Sequence, residues 1–62
     1  MKELQFKDIG SLEFFYVGNS TNKAYFMRLR LGNESICMDS NHEHYQKNMR
    51  VDFAPEERVF ID

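Results

Sequence analysis

An alternation of period two runs through the last third of the chain, and it leaves 62 residues little to fold into except a small sheet. Met49, Val51 and Phe53 share one side of an extended segment, Ala54-Pro55-Glu56-Glu57 interrupts it, and Val59 and Ile61 resume the pattern after Arg58. Pro55 has no N–H to give to a ladder, so it marks a turn between two strands and not the middle of one.

The rest of the chain repeats this grammar. Residues 13–17, Glu-Phe-Phe-Tyr-Val, are aromatic and β-branched and end at the turn formers Gly18-Asn19-Ser20-Thr21-Asn22, which gives a first strand and a loop. Residues 24–31 form the second strand, with Tyr25, Met27, Leu29 and Leu31 on one face and Phe26, Arg28 and Arg30 on the other. Gly32-Asn33 suits a two-residue hairpin because both residues tolerate positive φ, and residues 35–38 return as the third strand. Residues 39–48 are polar without a period and read as an exposed loop. Ahead of the strands, Phe6, Ile9 and Leu12 recur at three-residue spacing, which allows one short helical turn in an entry segment. The expectation is all-β: one domain over residues 1–62, an antiparallel five-stranded meander or partly closed barrel. Tyr16, Met27, Leu29, Ile36, Val51, Phe53 and Val59 are expected to share its core.

A chain this short is near the lower limit for a self-sufficient core, which makes a homo-oligomer an open option. With 42% hydrophobic and 15% aromatic residues it is rich enough to fold. Its net charge of −2 argues against a strongly basic nucleic-acid binder. The lone Cys37 cannot form an internal disulfide, which suits a reducing compartment, and with no signal-like or membrane-spanning apolar run the expected location is cytoplasmic, with no membrane partner.

Candidate chemistry is sparse. His42 and His44 would point to one side of an extended segment, five or more residues after Cys37, but the set lacks a second cysteine and a fourth ligand, so no metal and no cofactor is expected. Cys37 between Ile36 and Met38 reads as a packed thiol more readily than a nucleophile, and Glu56-Glu57 as surface charge, so no catalytic residue is assigned. Phe26, Arg28 and Arg30 interleave an aromatic with basic residues on one strand face, near Lys23, a pattern able to stack a base and neutralise phosphates. The competing reading pairs the arginines with Glu13, Glu34 or Asp52 across the sheet.

Phe6-Lys7-Asp8-Ile9, Phe15, Arg28 and the ending Phe53-Ala54-Pro55-Glu56-Glu57-Arg58-Val59, of the form Phe-x-Pro-x-x-x-Val, together resemble small uncharacterised β proteins of bacteriophages and mobile elements. Leu12 stands where that pattern has glycine, and Arg28 where it has lysine. The resemblance implies origin and fold, with no activity to carry over. A slighter likeness, in Leu31-Gly32-Asn33-Glu34-Ser35-Ile36, Arg50-Val51 and Ala54-Pro55, is to the carbon storage regulator family of RNA-binding dimers. There Asn33 is an insertion, the strands between are too short, and 23 residues precede what would be the first strand.

These readings point to a non-enzymatic protein-binding or regulatory module acting on a host protein, with Phe26, Arg28, Arg30 and Tyr45 as contacts. The alternative is a module for single-stranded nucleic acid using the same strand.

Overall fold

The computed structural model describes residues 2–62. The strands are β1 (Lys2–Gln5), β2 (Phe14–Gly18), β3 (Lys23–Arg28), β4 (Glu34–Ser40), β5 (Arg50–Asp52) and β6 (Arg58–Ile61). They form one six-stranded antiparallel sheet in the order β1-β6-β2-β3-β4-β5, left open and not closed into a barrel. The all-β class is as expected, with one strand more. The addition is β1, whose Lys-Glu-Leu-Gln carries too little β-branched or aromatic character to announce itself and is extended because it pairs with β6. The helical turn in the entry segment is a 3-10 turn at Phe6–Asp8.

Strands β2 to β5 follow one another as a meander, but the proline turn does not join neighbours. β5 is an edge strand, whereas β6 crosses over to pair with β1 and, at Tyr16 opposite Phe60, with β2. The connection runs over the inner face of the sheet because Phe53 is drawn into the core there. It is held to the 3-10 turn by backbone bonds from Phe6 N–H to Glu57 O (2.8 Å) and Lys7 N–H to Pro55 O (2.9 Å).

That inner face is built on phenylalanine. Phe53 lies 5.3, 5.4 and 5.0 Å from the ring centres of Phe6, Phe15 and Phe26, edge-on to the last two. Such edge-to-face packing favours a fixed arrangement of rings over a loose apolar droplet. Ile9, Val17, Ala24, Cys37 and Val59 complete the cluster, with Leu4, Tyr45, Val51 and Ile61 against it.

The parity of β3 is the reverse of the expected one. Ala24 and Phe26 point inward and Tyr25 and Met27 outward, because Phe26 is opposite both Phe15 and Cys37 in the core rows. Tyr16 and Ile36, cross-strand from Tyr25 and Met27, share the outward face and not the main core. A bulge opposite Tyr25 and Phe26, where Met38 is the extra residue, keeps Cys37 in line with Phe26. β3 also ends earlier than its pattern, at Arg28. Leu29 still donates to Glu34 O (2.9 Å), and the hairpin closes through a longer loop in which Gly32 takes φ 63°. At the end of β2, Gly18 has φ 99°, and a Cβ there would run into the Asn22 carbonyl, so only glycine fits that turn.

Candidate functional site: a braced hairpin tip and an aromatic sheet face

Arg28 ends β3 on the inner side, and its guanidinium lies 4.5 Å over the Phe6 ring. It donates to the carbonyls of Ile9 (2.5 Å), Phe6 (3.4 Å) and Gly32 (3.2 Å). One side chain therefore ties the loop after the 3-10 turn to the β3–β4 hairpin, using the planar fork that only arginine has. Backbone bonds reinforce the junction, from Leu12 N–H to Arg28 O (2.7 Å) and from Arg28 N–H to Glu13 O (3.0 Å).

The brace sets out two leucines. Leu12 takes φ 65°, in the left-handed region that glycine occupies freely and that costs an L residue about 1 kcal/mol, and it is nonetheless 41% exposed. Leu31, at the hairpin tip, is 84% exposed. Leu12, Leu29, Arg30, Leu31 and Glu34 line one open cleft of about 330 Å³. Strained backbone held by its surroundings is characteristic of working surfaces, and here it presents an apolar side chain to solvent.

A second apolar surface is the outward face of the sheet. Phe14 stacks on Tyr25 (5.6 Å), Tyr25 on Tyr16 (6.4 Å) and Tyr16 on Phe60 (6.1 Å), a run of parallel rings across three strands. Phe14 and Tyr25 are 47% and 39% exposed. Tyr16 is buried under its neighbours, with Lys23 Nζ 4.7 Å from its ring and its hydroxyl donating to Asp62 (3.2 Å). Burial and then that carboxylate raise its hydroxyl above the ordinary 10.0.

The residues singled out in the sequence fall in different places. Phe26 is fully buried in the core and unavailable as a surface contact. Arg28 is half-buried and occupied by three carbonyls. Tyr45 is half-buried, edge-on to Phe26 at 5.3 Å, and burial raises its hydroxyl, with Glu57 adding to the effect. Only Arg30 is exposed, beside Leu31 at the tip. The four are thus a core residue, a brace, a core lid and one tip residue, because the face that carries Phe26 and Arg28 turned inward.

Cys37 is buried, and that burial pushes its thiol above the ordinary 9.0. His42 packs 4.9 Å from Tyr45 and accepts the His44 N–H at Nδ1 (3.1 Å), while His44 is exposed. Among the described residues no three His, Cys, Asp or Glu side chains converge as a metal would need.

Leu12, Leu31, Phe14 and Tyr25 were not marked as site residues by sequence reasoning. In the sequence Leu31 lies on the strand face expected to be core, and Leu12 shows itself only as the leucine at a glycine position. No family model, no curated protein and no solved structure matches the chain. Among the described residues no helix is long and apolar enough to cross a membrane.

Proposed function

We propose that this chain is a non-enzymatic protein-binding module that acts by occupying a surface of a partner protein, with the braced hairpin tip as its contact. The observation that carries this reading is the pair Leu12 and Leu31, held out to solvent around one cleft by the Arg28 brace, one of them in strained backbone. The tip offers exposed apolar surface with Arg30 beside it, and arginine is among the residue types enriched in interface anchors. A host protein as the partner, and a phage or mobile element as the source of the chain, are supported by the resemblance described above. The non-enzymatic part rests on a thiol that is enclosed and raised in pKa, and on clefts that are open to solvent.

The second reading, single-stranded nucleic acid, draws support from the stacked rings of Phe14 and Tyr25, which offer π-faces to bases. It is weakened by the carboxylates of Asp39, cross-strand from Tyr25, and Asp62, bonded to the Tyr16 hydroxyl, and by the commitment of Arg28 to internal carbonyls.

The test compares tagged wild type with Leu31→Asp, recovered from the native cell after nuclease treatment. The expected result is a partner protein that survives nuclease and is lost with Leu31→Asp, while the circular dichroism of the variant is unchanged. A partner retained at full level by Leu31→Asp would contradict the tip as the contact. Submicromolar oligonucleotide binding that weakens steeply with salt and disappears with Arg30→Glu would replace this reading with the second.

A further inference from the structure

The outward sheet face has a composition that a free sheet surface does not need. In an antiparallel sheet with one solvated face, that face is normally polar. Here its two central rows hold Phe60, Tyr16 and Tyr25, then Phe14, Met27 and Ile36, each cross-strand from the next. The 3-10 turn and the later loops pack on the other side, against Phe15, Phe26 and Cys37. Charge lies toward the borders. Lys23 is opposite Gly18 at one end of the strands, with Arg58 beginning β6 at that same end and Asp39 cross-strand from Tyr25; at the other end Glu34 is opposite Asp52, with Arg50 cross-strand from Ile36. An uncharged centre of aromatic residues and methionine inside a charged rim is the anatomy of a protein interface.

We infer that the occupant of this face is a second copy of the chain, the two sheets packed outward face to outward face about a two-fold axis that runs across the strands. Such an axis reverses strand direction between the copies. It lays the Lys23 and Arg58 end of one sheet over the Glu34 and Asp52 end of its partner, and does so twice, as an isologous contact requires. A two-fold axis along the strands would lay each end over the same end of its partner, without that excess of opposite charge. Arg58 and Glu34 now pair locally, with Glu3 (3.4 Å) and Arg50 (3.7 Å), through exposed side chains that are free to re-pair.

Size sets the strength. The molecule measures 27 × 24 × 17 Å, so its broadest cross-section offers on the order of 600 Å² per copy, about 1,200 Å² in all, at the lower edge of specific interfaces. An interface of this size belongs with reversible, not obligate, association. The proposal is independent of the tip: its surface, its occupant and its test are different.

Sedimentation equilibrium over roughly 1 to 500 µM tests it directly. The expected result is a rise from the single-chain 7.4 kDa toward twice that mass, shifted at least tenfold to higher concentration by Phe14→Glu and unmoved by Leu31→Asp. The two-fold arrangement makes a sharper demand. Lys23→Glu and Glu34→Lys should each weaken self-association, and mixing the two variants should restore it, because the mixed pair has opposite charges at both ends. A wild type that stays monomeric throughout, or a dimer indifferent to Phe14→Glu and to the charge pair, would overturn the inference. The fold of every variant is checked by circular dichroism, and the exposed charge variants decide the matter if Phe14→Glu does not fold. A monomeric wild type that still loses its partner protein with Leu31→Asp would refute the dimer and leave the proposed function standing.

Discussion

Arg28 turns its charge inward, and that choice organises the residues around it. Its bonds to the Phe6, Ile9 and Gly32 carbonyls satisfy acceptors from two separate loops, and the ring of Phe6 covers the guanidinium. Hydrogen bonds from a charged donor contribute about 1.5–3 kcal/mol, so Arg28→Ala should lower stability to urea by about 2–3 kcal/mol. Arg28→Lys should recover only part, since one ammonium cannot span the carbonyls and stack as well. An Arg28→Ala variant within about 0.5 kcal/mol of wild type would show that the brace is idle. Buried acids supply a second prediction at this scale. Cys37, Tyr16 and Tyr45 all have their protons held more tightly in the fold than in the unfolded chain, chiefly by burial. The native state then binds more protons wherever these groups titrate, so stability falls with rising pH. Their contribution is complete below the ordinary thiol value of 9.0, begins to fade there through Cys37, and continues to fade above 10.0 through the tyrosines. Urea midpoints between pH 8 and 11 should decline in that order, and Cys37→Ala should remove the first part of the decline and leave the second.

At the scale of elements, strand existence was easier to read than strand orientation. Alternation in residues 24–31 announced β3, yet both of its faces carry apolar side chains, and a period of two does not say which face is inward. Phe26 was decided by partners remote in sequence, Phe15, Cys37 and Phe53, and with it the placing of Arg28 and of the expected contacts. Val51 and Phe53 were legible because the segment that carries them has apolar residues on one face only, whereas β6 carries Phe60 opposite Val59 and Ile61. The Gly32-Asn33 hairpin was correctly located but its loop is longer, since Arg28 pulls the Gly32 carbonyl toward the entry loop and ends the regular ladder early. β1 gave no signal of its own, because its strand geometry comes from pairing with β6. The tip was half visible: a leucine at a position where a related pattern has glycine turned out to have the left-handed backbone that glycine would take.

For the whole molecule, the account makes the sheet a partition. Its inner face, packed with four phenylalanines under the 3-10 turn and the proline connection, supplies the stability of a chain with little core to spare. Its outer face and its braced tip are the surfaces proposed for association. The sequence carried the all-β class but not this division, because apolar and aromatic residues occur on both faces of the central strands. The most direct measurement is a pair of urea denaturations on adjacent residues of β3, made at a concentration where sedimentation finds the single chain. Phe26→Ala should cost about 3–5 kcal/mol, as a large ring removed from a closed core. Tyr25→Ala should cost under about 1.5 kcal/mol, the worth of its ring stacking on a surface. The reverse order, with Tyr25→Ala the more damaging, would place the core on the other face and contradict the account.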